Sequence, residues 1–372
     1  TSKRTSTKIE QSMKSLIDMR NGAKIDGTNY KLLLKHIRLN VTDKYEFPPE
    51  IIKVNGTTVA TLGNFSASTG KPKSKKTFNV SALVASALSG KEVLKYKTIL
   101  PQGKERILYV DTEQSKCHCH KVMQRIMKLA GLPIDKEDDR ILFFVLREYT
   151  PEQRREIISC ALQEEENIGL VIIDGIRDLI HDINSPGESL NIINELMRWS
   201  SYYEMHIHTV LHQNKGDDNT RGHIGTELNN KAETILQVSK NAENPNISEV
   251  RAVHIRDKEF QPFAFEINED ALPQLVNNYK FTKTKEKISS YADMSNEQHL
   301  EALECAFKDK QSMGYQELLD SLKTGYASIG YARGRNTIVK LCKFLSNINV
   351  LIKEEQGYIF DKEPLCSGSS LV

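Results

Sequence analysis

With 372 residues, 39% of them hydrophobic, and a formal net charge of +2, the chain is long enough for one large α/β domain and one or two small ones. The near-neutral charge excludes a strongly basic nucleic-acid binder, yet it leaves room for a ring in which a few cations per subunit line a channel. No run of about 18 apolar residues is present to span a bilayer, the opening Thr1–Lys8 has no apolar signal-peptide core, and six scattered cysteines read as reduced thiols of a cytoplasmic protein.

Residues 1–47 carry two amphipathic patterns, Ile9/Met13/Leu16/Ile17 and Leu32/Leu33/Leu34/Ile37, which predict a helical N-terminal extension. Two candidate strands follow, Thr58–Leu62 and Phe65–Ser68. The second feeds Gly70-Lys71-Pro72-Lys73-Ser74-Lys75-Lys76-Thr77, after which Phe78 leads into an Ala/Leu/Ser-rich helix ending near Ser89. This octapeptide has the length, opening Gly and closing Lys-Thr of a phosphate-binding P-loop, with Lys75 where the pattern expects a second Gly. Such a loop wraps phosphates in backbone N–H groups, sets Lys76 against the β- and γ-phosphates and offers the Thr77 hydroxyl to Mg²⁺. A Lys-rich solvated turn is the competing reading. Gly at that position allows unusual dihedrals, so Lys75 must either take ordinary helical geometry or carry strain.

Arg106–Asp111 reads as a strand running into Thr112 and Glu113. Glu113 is placed to polarise a water for attack on a γ-phosphate; alternatively, Asp111-Thr112-Glu113 starts the next helix, whose dipole favours acids in the first turn. Cys117-His118-Cys119-His120 mimics a metal cluster, but no second Cys pair at zinc spacing accompanies it, and a first helical turn is expected. Ile141–Leu146 predicts a strand and Pro151–Gln163 a helix with Pro in its first turn. In Leu170-Val171-Ile172-Ile173-Asp174 an unbroken apolar run stops at an acid. That pattern describes a strand covered on both faces, with Asp174 at the carboxyl edge where open α/β sheets bind ligands. A helix near Glu188–Tyr203 and a strand at His208–Leu211 continue the alternation, which predicts a doubly wound, mostly parallel sheet.

The polar run Thr282–Lys287 marks a linker over 281–295. Beyond it, Asn296–Phe360 reads as helices at His299–Phe307, Tyr315–Leu322 and Arg335–Asn347, then strands at Val350–Lys353 and Gln356–Phe360. Three helices and a closing hairpin are the layout of a winged helix, here over 296–361 with a tail at 362–372. Arg333, Arg335, Asn336 and Lys340 stand at the start of the third helix, where a recognition helix meets phosphates and bases; the competing use is a protein partner.

The order of these parts resembles the RecA-like ATPase core and, within it, the RepA-type hexameric helicases of plasmids and mobile elements. The resemblance runs from about Pro48 to Ile267 and sets the core at 48–280. It rests on the loop at Gly70, on Glu113 and Asp174, and on His212-Gln213-Asn214-Lys215. Arg221–Leu228 with Ala232–Val238 is similar to the loop and strand that face DNA in RecA-like proteins, and Val250–Lys258 with Pro262–Ile267 to their closing hairpin. The resemblance implies ATP and Mg²⁺ as cofactors, with Thr77 and Asp174 at the metal and Gly70–Phe78 around the nucleotide. It implies catalytic roles for Lys76, Glu113, Asp174, His212, Arg256 and Lys258. The last two correspond, in exchanged order, to cations that touch a neighbouring subunit's γ-phosphate; on a strand they would emerge on one side, with Asp257 opposite. DNA contacts are implied at Lys215, Arg221 and His223. The implied partners are DNA, single-stranded at the core and duplex at the winged helix, and further copies of the chain in a hexamer. The N-terminal helices would latch onto the adjacent subunit or pack on the core. A helicase or translocase for replication or mobilisation of a plasmid or transposable element is the expected function. The alternatives are a nucleotide-switch scaffold and a DNA-binding regulator that recruits partners without unwinding.

Overall fold

The structure, a computed structural model, describes residues 34–35, 37–213, 222–281, 290–308 and 310–366. Two compact units are present, Thr1–Tyr279 and Lys280–Val372. Most of the expected N-terminal helical extension, Lys215, Arg221, most of the linker, and the tail after Cys366 lie outside the described residues.

In chain order the first unit contains β1 (Glu50–Val54), β2 (Thr57–Thr61), β3 (Phe65–Gly70), α1 (Lys76–Ser89), β4 (Glu92–Val93), β5 (Tyr96–Thr98), β6 (Arg106–Asp111), α2 (Lys116–Ala130), β7 (Ile141–Val145), α3 (Pro151–Glu164) and β8 (Ile168–Asp174). It continues with a 3-10 turn at Ile176–Leu179, α4 (Pro186–Tyr202), β9 (His206–His212), α5 (Gly222–Lys231), β10 (Thr234–Lys240), β11 (Ile247–Ile255), β12 (Phe263–Ile267) and β13 (Pro273–Leu275). A nine-stranded sheet has the order β13-β12-β11-β10-β3-β9-β8-β6-β7, and β2-β1-β5-β4 form a smaller antiparallel sheet. From β10 to β7 every neighbouring pair is parallel, whereas β11, β12 and β13 add antiparallel strands outside β10. The loops that leave β3, β6, β8 and β9 therefore open at one carboxyl edge.

Both faces of the large sheet are buried, because successive strand residues point in opposite directions. Ile107 and Tyr109 of β6 and Leu170 and Ile172 of β8 join a core with α1, α2 and the smaller sheet; Leu108, Val110, Val171 and Ile173 join another with α3 and α4. Each fully buried aliphatic side chain contributes roughly 1.5–3 kcal/mol, which is why the aliphatic runs form central strands. The covering helices start on local signals: Thr150 and Gln153 make a reciprocal capping box ahead of Pro151, and Ser185 caps α4.

The strand that carries the P-loop is unusual, since all of Phe65–Gly70 is buried although Ser66 and Ser68 are polar. Ser66 Oγ lies 2.7 Å from His206 Nε2 and 2.8 Å from His208 Nδ1, and Ser68 Oγ lies 2.9 Å from His208 Nε2. Burial pushes His206 down to about 4 and His208 to about 3, so both rings are neutral members of this ladder.

Residues 222–231 form a helix, α5, where the sequence predicts a loop over Arg221–Leu228. Ile224 and Leu228, at i and i+4, bury one face of it, and that packing overrides the loop-forming Gly and Asn residues. Among the described residues, no helix is long and apolar enough to cross a membrane.

The second unit contains α6 (Asn296–Ala306), β14 (Ser312–Met313), α7 (Tyr315–Ser328), α8 (Arg335–Asn347), β15 (Leu351–Glu354), β16 (Gly357–Phe360) and α9 (Glu363–Cys366). Its strands form a small antiparallel sheet in the order β14-β16-β15. Leu303, Leu318, Leu322, Ile338, Leu341 and Leu345 pack into a core of its own, and His299 Nδ1 meets the buried Tyr326 hydroxyl at 2.6 Å.

Candidate nucleotide site

The octapeptide after β3 is folded into a loop that ends at the N-terminus of α1. No side chain caps that terminus and no acid occupies its first turn, which leaves its N–H groups and positive dipole end available to an anion. Gly70 is required by close approach: a Cβ there would lie 2.2 Å from Val238 O and 2.6 Å from Ser74 Oγ. Lys71, Pro72 and Lys73 are exposed, whereas Ser74 and Lys76 are buried. Among the described residues the Ser74 hydroxyl has no hydrogen-bond partner. Lys75 takes the strained alternative, with φ 69° and ψ 30° in the left-handed region. A side chain there costs roughly 1–2 kcal/mol relative to Gly.

Lys76 Nζ donates to Gly70 O at 2.9 Å and Lys71 O at 3.1 Å, and approaches His212 Nδ1 at 3.0 Å. His212 Nε2 faces Glu113 Oε1 at 3.5 Å, so an Nε2–H tautomer lets the ring accept from the lysine and point its proton at the carboxylate. Burial pushes the Lys76 ammonium down to about 8, against the charges of Asp174 and Glu113, which hold it up. The hydrogen bond from His212 holds Glu113 below the usual carboxylate range.

Asp174 ends β8 in register with Asp111 at the end of β6. Its Oδ2 accepts from Thr77 Oγ1 and from Tyr109 OH, each at 3.0 Å. Burial, then the nearby Asp111 charge, raises Asp174 to about 6. Glu113 precedes the helix instead of opening it, because α2 begins at Lys116. Asp111 Oδ1 accepts from the N–H groups of Glu113 and Gln114, a tight turn that aims Glu113 outward. The Gly175 backbone allows this approach, since a Cβ there would meet Thr112 Oγ1 at 2.2 Å.

Lys73–Phe78, Glu113, Asp174 and His212 thus border a single cavity of about 290 Å³. Several lining residues escaped the sequence reading. Asp111 ends β6 and Gln114 belongs to the turn before α2, while His118, Lys121, Val122 and Arg125 come from α2 itself. Arg125 lies 3.6 Å over the Phe78 ring, and Tyr109 reaches Asp174 from inside the sheet. The i, i+3, i+4 and i+7 spacing from His118 to Arg125 was a detectable helical-face signal; the Tyr109 contact depends on strand order and was not. Cys117, His118 and His120 are exposed on α2 while Cys119 is buried, and among the described residues no group of three or more His, Cys, Asp or Glu side chains is arranged to hold a metal.

Other expected site residues lie elsewhere. Arg256 and Lys258 follow the end of β11, so strand alternation does not set their directions. Both are exposed; Arg256 N donates to Glu233 O at 3.2 Å, and Lys258 N to Asp257 Oδ1 at 2.8 Å. β11 is also no edge strand over Ser248–Val250, where it pairs with both β10 and β12. His223 is exposed at the start of α5. In the second unit Arg335 and Lys340 are exposed on α8, and Arg333 stacks on Tyr331 at 4.5 Å.

A phosphate loop, a buried lysine and acids at the ends of parallel strands, all on a mostly parallel α/β sheet, define the class: a P-loop ATPase. More particularly, the chain belongs to the AAA_25 family, an AAA domain, which matches residues 33–218 and so includes Gly70–Thr77, Glu113, Asp174 and His212. Among solved structures, the crystal structure of the RadB recombinase is similar at 18% identity and a TM-score of 0.40, over 56% of this chain and 90% of that chain. A comparison with curated proteins gives no match.

Proposed function

We propose that the protein is an ATP-driven motor acting on DNA as a homo-oligomer, a helicase or translocase for replication or mobilisation of a plasmid or transposable element. The observation that carries the catalytic half is the convergence on one cavity of the Thr77–Asp174 hydrogen bond and the Lys76–His212–Glu113 run. The donor set fits Mg²⁺-ATP: Thr77 and Asp174 offer the hard oxygens that this ion takes, beside an uncapped helix N-terminus for phosphate. When bound, Mg²⁺ draws charge from the β- and γ-oxygens. Lys76 neutralises the same oxygens, Glu113 orients the attacking water and accepts its proton, and His212 links the γ-phosphate position to Glu113. Arg256 and Lys258 are exposed and outside this chain's own cavity, as residues that complete a neighbour's site must be.

The DNA half draws on the second unit, which we read as a winged helix. Its α8 exposes Arg335, Asn336, Val339, Lys340 and Lys343, and contains no acid. That face suits phosphate and groove contacts, whereas Glu354 and Glu355 at the hairpin tip do not. A nucleotide-switch scaffold is the second reading, favoured by the strained Lys75.

The test is ATP turnover with and without single-stranded DNA, in the wild type and in folded Lys76→Ala protein. Stimulation by DNA, lost in Lys76→Ala, is expected. Turnover indifferent to DNA would move the reading to the switch, and wild-type turnover by Lys76→Ala would remove the P-loop assignment. For the shared site, Lys258→Ala mixed with Lys76→Ala is expected to recover hydrolysis that neither variant shows alone. Full activity of both Arg256→Ala and Lys258→Ala would exclude it.

A further inference from the structure

We propose that Lys75 is a positioning residue of the nucleotide site, fastening the P-loop to the β10–β11 turn and, through that turn, to Tyr279. The inference rests on the P-loop reading and concerns what holds the loop in shape. Where the pattern expects Gly, Lys75 keeps a left-handed backbone, and its Nζ donates to Asn246 O in the turn between Lys240 and Ile247. The preceding residue is held from the same side, because Ser248 Oγ donates to Ser74 O at 3.2 Å. Two successive loop residues are therefore clasped by the turn and by the strand that leaves it, and a contact that Gly has no side chain to make accompanies the strain that Gly would have avoided.

The turn is itself built on side chains. Asn241 Oδ1 accepts from Glu243 N at 2.9 Å and Asn244 N at 2.7 Å, and Asn244 Oδ1 accepts from Asn246 N at 3.0 Å. Asn241 Nδ2 donates to Tyr279 OH at 2.6 Å, and that hydroxyl donates to Glu249 Oε1 at 2.6 Å. Tyr279 is the last residue of the first unit. A continuous hydrogen-bonded path thus joins the phosphate loop to the point where the chain leaves the ATPase unit. Because coupling of this kind is reciprocal, a pull on Tyr279 changes nucleotide affinity, and nucleotide binding changes the hold on Tyr279.

The experiment measures KM and kcat for Mg²⁺-ATP in the full chain carrying Lys75→Met, Lys75→Arg, Tyr279→Phe or Lys75→Met/Tyr279→Phe. Lys75→Met keeps the stem and loses the donor. It is expected to raise KM by about tenfold, the loss of one charge-assisted hydrogen bond, with kcat changed by less than about threefold. Lys75→Arg should recover most of that loss. Tyr279→Phe should raise KM by about threefold alone and add nothing to Lys75→Met, since groups in one path are not additive. An unchanged KM in Lys75→Met, or a double variant whose effect is the product of the singles, would overturn the proposal. Lys76→Ala run alongside separates the two levels. An unchanged KM there removes the nucleotide site itself, while loss there with an unaffected Lys75→Met removes only the clasp.

Discussion

Raising the pH from 7 to 9 should weaken nucleotide binding through one buried ammonium, Lys76. In the free protein burial lowers this group from an ordinary 10.5 to about 8. A bound polyphosphate adds its negative charge to those of Asp174 and Glu113 and restores the charged form. The binding-competent protonated fraction is therefore nearly complete at pH 7 and about one tenth at pH 9. The sign follows from linkage: the complex holds a proton that the free site releases, so affinity is full below pH 8 and falls as pH rises through that value. Between pH 7 and 9 the Kd of Mg²⁺-ADP should rise by about tenfold, roughly 1.4 kcal/mol. Titration calorimetry in two buffers of different ionisation heat would show uptake of nearly one proton at pH 9 and little at pH 7. Lys76→Arg, whose guanidinium does not titrate in this range, should bind with no such slope, whatever its affinity. An affinity that stays flat in the wild type, or a slope that persists in Lys76→Arg, would refute the assignment of the proton to Lys76.

Glu113→Gln should leave the Kd for ATP within about threefold and lower kcat by at least about a hundredfold, because it removes a base and no phosphate contact; normal turnover would assign the water to another residue. Gly70→Ala forces a methyl into Val238 O, a backbone atom that cannot swing away. It should destabilise the chain by about 1–3 kcal/mol in thermal melts and abolish nucleotide binding; a melt and an affinity equal to wild type would contradict the geometry. Arg335→Ala should weaken DNA binding at low salt, where phosphate contacts are strongest, without altering DNA-free hydrolysis. Unchanged DNA binding there would redirect the second unit toward a protein partner.

What could be read from the sequence followed from how local each cause was. Leu170–Ile173 had to be a strand buried on both faces because an unbroken aliphatic run has no other low-energy place in an α/β fold. Asp174 at its end was legible for the same reason. Pro151 marked the first turn of α3 through its own fixed backbone geometry, whereas the Thr150 cap beside it was seen only in the structure. The left-handed Lys75 was foreseen only as one of two choices, since the decision lies with Asn246, far along the chain. Tyr109 and Arg125 became part of the cavity through the β6–β8 pairing and α2 packing, neither of which leaves a local mark. Arg256 and Lys258 were placed on a strand that stops at Ile255, three residues short of where the alternation argument needs it. For α5, propensity pointed to a loop and burial of Ile224 and Leu228 decided otherwise.

The ladder of Ser66, Ser68, His206 and His208 has a consequence for how the chain finds its native pairing. An apolar β3 would sit against β9 almost equally well one residue out of step, because grease matches grease. Here a slip turns the serines to the other face and strands the His208 ring and the Nε2 of His206, at about 1–3 kcal/mol for each orphaned group. The same slip would move Gly70 away from its place opposite His212 and part Lys76 from that ring. The two serines thus act as a key cut for one lock: they add little to the strength of the sheet, and they make any mispaired sheet that would lack a nucleotide site the costlier product of folding.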